Sequence, residues 1–184
     1  MKKSNKKVIT LAVALILVVV CAVGGTLAWL QDKTESVKNT FSTALVDIEL
    51  TETTGEEYKM IPGVVLEKDP TVTVKAGSED AYVFIKVDES TDLDTFLTYD
   101  LGTDWTPVDG EDGVYYTTYT ASADDVEIAV LKDDQVTVNE NVTNEQMSSL
   151  TEEPTLTFTA YAVQMKNGDA NFEVAEAWGI AQNL

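Results

Sequence analysis

The sequence contains no histidine and a single cysteine, Cys21. Without an imidazole, Ser-His-Asp and Cys-His catalysis are excluded, as are the two-histidine zinc helix of metallopeptidases and most structural zinc sites. Cys21 sits inside an apolar run, so removal of that run leaves no disulfide, no thiol nucleophile and no thiolate metal ligand. There is no glycine-rich phosphate loop, no internal repeat of solenoid period and no sortase-type sorting motif. Positive charge is scarce: 12 basic residues stand against 32 acidic ones, a formal net charge of −20. A chain so acidic is repelled by nucleic acid and by anionic lipid, which leaves neither as an expected partner.

What the N-terminus does contain is organised. Lys2, Lys3, Lys6 and Lys7 precede residues 8–23, an almost unbroken series of Val, Leu, Ala and Ile. This is the charged and apolar order of a secretory signal. Thr26 and Ala28 place small residues at the minus-three and minus-one positions of a signal-peptidase site, so cleavage after Ala28 would make Trp29 the mature N-terminus. An uncleaved signal anchor is the alternative, because the stretch from Val8 to Leu30 approaches the roughly 20 residues that span a bilayer. That segment is the only expected membrane contact. Lipidation is set aside, since Val20 stands where a lipoprotein needs a small residue before Cys21. All the carboxylates and all but four of the basic residues lie beyond the cut, so the formal charge falls to about −24. About 156 residues remain, enough for one domain with a real core.

Beyond the cut, residues 29–44 show no sustained period. From Val46 the pattern alternates, with Val46, Ile48 and Leu50 on one face and Asp47, Glu49 and Thr51 on the other, which predicts a half-buried antiparallel strand. Residues 53–58 read as a polar loop and Pro62-Gly63 as a type II turn. Val72 and Val74 alternate with Thr71, Thr73 and Lys75. In residues 81–87, Val83, Ile85 and Val87 share one face and Tyr82 and Phe84 the other, so this strand is expected to be central and covered on both sides. Burial at about 25 cal/mol per Å² favours a second packed layer, hence a sandwich.

Residues 96–101 and 114–119 read as a hairpin joined through Asp109-Gly110-Glu111-Asp112-Gly113. Residues 128–131 and 136–138 read as a second, weaker pair. Thr143 with Gln146 fits a capping box, and Val142 with Met147 a hydrophobic staple, so a short helix is predicted over 144–150, closing one end of the sandwich, with Pro154 barring its continuation. Residues 155–165 are the longest strand candidate and read as central. After an Asn167-Gly168-Asp169 turn, Val174, Ala177, Trp178 and Ala181 recur at helical spacing, although Gly179 weakens that helix by about 1 kcal/mol.

Chemistry is sparse. Paired carboxylates suit glycoside hydrolysis, yet with 32 of them no spacing singles out a pair. Asp92-Leu93-Asp94 and residues 109–113 are oxygen-rich loops, and neither follows the EF-hand ligand pattern; the simpler reading is a solvated turn. Trp105, Tyr115, Tyr116 and Tyr119 are either core or a surface for a carbohydrate or a partner. Asn141-Val142-Thr143 matches a glycosylation sequon at the predicted helix cap. No catalytic, cofactor or metal residue is assigned.

The Lys-rich start, Gly24-Gly25-Thr26-Leu27-Ala28-Trp29-Leu30, then Asp32-Lys33-Thr34 and Asn39-Thr40-Phe41, resembles the signals cut by the SipW-type signal peptidase of Gram-positive bacteria, as found in the TasA and camelysin family. The likeness extends to residues 46–50, Ile61-Pro62-Gly63 with Lys68-Asp69, residues 159–164 and Glu176-Ala177-Trp178. The resemblance implies a secreted β-rich protein of the cell surface or biofilm matrix, in some members a fibre subunit, with a SipW-type peptidase and further copies of itself as partners. Some relatives of camelysin are classed as metalloproteases; no residue here matches such a site. The expectation is an all-β, jelly-roll-like antiparallel sandwich with one or two short helices behind an N-terminal signal helix. Residues 1–28 form the signal, 29–44 an extended segment and 45–184 one domain. The expected function is structural and non-enzymatic, with Trp29, Leu30, Val37 and Phe41 on a candidate assembly strand. A monomeric extracellular module binding a glycan, metal ion or host protein is the alternative.

Overall fold

The computed structural model describes residues 46–55 and 58–184. The signal and assembly-strand residues, Thr26, Ala28, Trp29, Leu30, Val37 and Phe41, lie outside them. Twelve strands, paired antiparallel throughout, and a few short helices make the described part all-β. In chain order these are β1 (Ile48–Thr51), β2 (Val65–Glu67), β3 (Thr71–Val74), β4 (Ala81–Glu89), α1 (Leu93–Phe96), β5 (Leu97–Thr98) and β6 (Thr106–Pro107). Then follow β7 (Val114–Tyr119), β8 (Val126–Ala129), β9 (Gln135–Val138), α2 (Asn144–Ser149), β10 (Leu156–Gln164), β11 (Lys166–Asn167), β12 (Ala170–Asn171) and α3 (Val174–Ala181).

Three sheets have strand orders β1-β3-β8, β10-β4-β7-β6 and β2-β9-β5, beside the small β11-β12 hairpin. The alternation in β1 and β3 is used as predicted: Val46, Ile48 and Leu50 turn onto a cluster that holds Val72 and Val74 at 0% exposure. Thr73, on the other face, is also buried, because its partners across the sheet on either side are Glu49 and Glu127.

β4 is central, as its two apolar faces require. Its Val83 and Ile85 join Val72, Trp105 and Val130 in one cluster. Its Tyr82 and Phe84 join Val163, Ala177 and Trp178 in another, under α3. Each such buried side chain contributes about 1.5–3 kcal/mol, so β4 ties both clusters into one cooperative unit. In α3 the predicted spacing holds: Ala177, Trp178 and Ala181 are buried and Gly179 sits exposed without interrupting the helix.

Three strand assignments need correction. Residues 96–101 do not pair with 114–119: Phe96 ends α1, β5 pairs with β9, and β7 pairs with β4 and with β6, which supplies its hairpin partner. Residues 128–131 and 136–138 do not form a hairpin either, since β8 pairs with β3 and β9 with β2 and β5. Between them Val130 and Leu131 are both buried and Asp133 and Asp134 take positive φ (56° and 53°), so the chain crosses from one sheet to another. Finally, β10 is as long as β4 but, among the described strands, lies at the edge of its sheet and not its centre. Its apolar faces are covered by β1 on one side and α3 on the other, so burial did not require a strand on both flanks.

Candidate functional site

The outer flank of β10 is the first candidate. All nine of its residues pair in unbroken register with β4, Leu156 opposite Glu89 through Gln164 opposite Ala81, with no bulge. On its other flank no described strand pairs with it. Its sequence, Leu-Thr-Phe-Thr-Ala-Tyr-Ala-Val-Gln, holds no charge and no proline. Soluble proteins blunt a sheet edge with charges, proline, bulges or brevity, because the bare row of N–H and C=O groups templates further pairing. The other edges here show these devices: among the described residues every other edge strand is two to four residues long, β6 carries Pro107, β1 Glu49 and β8 Glu127. Among the described residues β10 carries none of these devices, in a chain with acidic residues to spare.

Near the start of β10 the chain is clamped. Asp69 accepts hydrogen bonds from the backbone N–H groups of Thr53 and Thr54 (2.9 and 3.0 Å) and from both hydroxyls. These bonds, led by the Thr53 hydroxyl, hold its carboxyl well below the usual carboxylate range. Lys68 pairs with Glu52 at 2.8 Å and sits 5.3 Å from the ring centre of Tyr58 and 6.0 Å from that of Phe158 on β10. The loop after β1 is thereby fixed against the edge strand. The Tyr58 hydroxyl donates to Glu52 (2.6 Å), and burial followed by that bond pushes its pKa up.

The second candidate is a cleft of about 420 Å³ at the far end of β4. Leu93, Leu97 and Leu101 are among its lining residues, with Tyr99 and Tyr115. Glu89, Asp94 and Asp100 bring carboxylates to it. The Tyr99 hydroxyl donates to Glu89, and burial, then that bond, raises the phenol far above its ordinary pKa. A smaller, polar recess of about 170 Å³ shares Thr98, Tyr99 and Asp100 and reaches Lys132, whose ammonium is 4.0 Å from Asp100.

The residues singled out by sequence are distributed differently. Trp105 is buried and donates its Nε1–H to the Ala129 carbonyl (2.8 Å), and Tyr119 is 3% exposed. Tyr116 packs against Tyr82 and Phe84 on the opposite face of the sheet from Trp105. Tyr115 alone of the four reaches the cleft. Asp94 lines it as well, while the 109–113 loop is an exposed turn between β6 and β7. Among the described residues no three His, Cys, Asp or Glu side chains converge as a metal ligand set. Sequence reasoning misses the clamp and the Tyr99–Glu89 pair; Lys68-Asp69 enters it only through a resemblance, and the partners 16 residues upstream carry no local signature.

Comparison with protein-family models, with curated proteins and with solved structures finds no match.

Proposed function

We propose that this chain is an exported structural subunit that assembles at the bacterial surface or in its matrix, and that the outer edge of β10 receives a strand from another copy. Supporting this reading is one observation above the others: a nine-residue edge, unbulged and uncharged, in a chain of net charge −20. The donor is the segment 29–41, freed when a SipW-type peptidase cuts after Ala28, its Trp29, Leu30, Val37 and Phe41 supplying the apolar positions. Such a contact is head-to-tail, so it propagates instead of closing. The sheets form a jelly-roll-like sandwich in this reading, the role is non-enzymatic, and the likeness to the TasA and camelysin signals supports a location outside the cell. The competing reading, a monomeric module with an aromatic binding face near Trp105 and Tyr116, is weakened because these two residues lie on opposite faces of one sheet.

The test is made on protein recovered from an exporting Gram-positive host. N-terminal sequencing should read from Trp29. Light scattering and negative-stain microscopy from neutral to mildly acidic pH should show ordered fibres, absent when residues 29–41 are deleted. The double variant Thr157→Lys and Gln164→Lys should also stay monomeric, since both positions are exposed and the first of the two new lysines would stand opposite Asp88, leaving the fold intact while charging the edge. A wild-type monomer at every concentration and pH overturns the proposal.

A further inference from the structure

The hairpin of β11 and β12 belongs to neither candidate site, and it carries the one Asn-Gly step in the chain, Asn167-Gly168. Asparagine is among the chemically labile side chains. A bond from the Gly168 nitrogen to Asn167 Cγ closes a five-membered ring, and glycine brings no side chain to hinder it. The other asparagines precede larger residues, among them Val142 after Asn141 and Phe172 after Asn171.

The fold leaves this step open. Residues 166–171 are all exposed, and a Cβ built on Gly168 would meet nothing within 4 Å. Gly168 has φ 66°, as the first central residue of a two-residue hairpin turn requires. Among the described residues neither the Asn167 carboxamide nor the Gly168 N–H has a hydrogen-bond partner, whereas Asn139 donates its carboxamide to the Thr95 carbonyl and Asn183 to that of Gly179. Pairing with Ala170 keeps Asn167 extended, with the Gly168 nitrogen turned from its Cγ, so the tip has to open first. Opening costs little where no side chain is buried. The base of the hairpin stays fixed meanwhile: Phe172 donates its N–H to the Met165 carbonyl at 2.9 Å and accepts from the Tyr82 hydroxyl at 3.0 Å.

We propose that Asn167 is a site of spontaneous modification by its own backbone. The Gly168 nitrogen attacks Asn167 Cγ, the N–Cγ bond forms and the Cγ–Nδ2 bond breaks, and the proton from the nitrogen leaves with the amide as ammonia. Water then opens the cyclic imide at either carbonyl, giving aspartate or isoaspartate. Both products add a negative charge at residue 167. Isoaspartate also lengthens the main chain by a methylene, so the pairing with Ala170 is lost. Molecules of different age thus present different surfaces just past the end of β10, whether or not copies assemble.

The purified full chain is held at neutral and at mildly alkaline pH, with a second sample unfolded in urea. Fragments are followed by mass spectrometry with electron-transfer fragmentation, which separates aspartate from isoaspartate. In the folded chain, conversion at residue 167 should appear severalfold sooner than at any other asparagine, and should run faster at the higher pH because the attacking nitrogen must shed its proton. Isoaspartate should accompany aspartate, and ammonia should be released in step. Asn167→Gln enlarges the ring by one atom and should abolish the product at 167, while amide shifts outside residues 165–172 stay unchanged. No product at 167 in the folded chain while the urea sample converts would mean that the closed hairpin protects it, and would overturn the proposal. So would earlier conversion at Asn141 or Asn171, or aspartate without isoaspartate, which is direct hydrolysis with no ring.

Discussion

Thr53 gives both its backbone N–H, at 2.9 Å, and its hydroxyl to the carboxylate of Asp69, 16 residues further along the chain. Thr54 does the same from the next position, at 3.0 and 2.9 Å. Four donors thus converge on one side chain, and the loop after β1 has its geometry from Asp69. Asp69→Ala is expected to lower the melting temperature and to raise amide exchange at residues 52–55, whereas Asp133→Asn, in an exposed turn, should leave both unchanged.

Acid should act through the same residue. The folded protein holds the Asp69 pKa below the ordinary aspartate value of about 4, so the unfolded chain binds the proton more readily. Its contribution is therefore complete above about pH 4 and is lost as pH falls through the depressed value. Urea midpoints measured between pH 5 and pH 2 should fall less steeply for Thr53→Ala than for the unaltered protein.

Trp178 is 4% exposed, with its ring 5.4 Å from both Phe84 and Tyr161. Its Nε1–H has no hydrogen-bond acceptor among the described residues. Trp178→Ala should destabilise by about 3–5 kcal/mol in urea titration. Trp178→Phe should cost well under half of that, since the phenyl ring keeps much of the contact and the lost donor had no partner.

Gly113 and Gly110 make a controlled pair. Both have positive φ, 70° and 82°, but a Cβ at Gly113 would meet the Val87 carbonyl oxygen at 2.6 Å, where one at Gly110 meets open space. Gly110→Ala should cost about 1–2 kcal/mol for the left-handed backbone alone. Gly113→Ala should cost clearly more, because Val87 donates its N–H to Gly113 O at 2.8 Å and neither backbone can retreat.

The capping box of α2 is complete, Thr143 accepting from the Gln146 N–H at 3.2 Å and Gln146 Oε1 accepting from the Thr143 N–H at 2.9 Å. Thr143→Ala should cost about 1 kcal/mol. Because the helix buries no residue, the loss should appear as faster amide exchange within 144–149 more than as a shift in global unfolding.

Local features were legible from the sequence alone. The alternation of Ile48 and Leu50, the two apolar faces of β4, the Pro62-Gly63 turn, the Thr143 cap and the spacing of Ala177, Trp178 and Ala181 all depend on neighbours within about one turn or a few strand positions. Period specifies which face a residue presents, and only that. Which strand lies alongside is a choice among distant segments, and the tertiary structure alone made it: it sent β8 and β9 to different sheets, gave β7 to β4 and β6, and put β10 at an edge among the described strands. The Asp69 clamp and the Tyr99 cleft were likewise beyond the sequence, because hydrogen bonds and cavities form between residues that only the completed packing brings together.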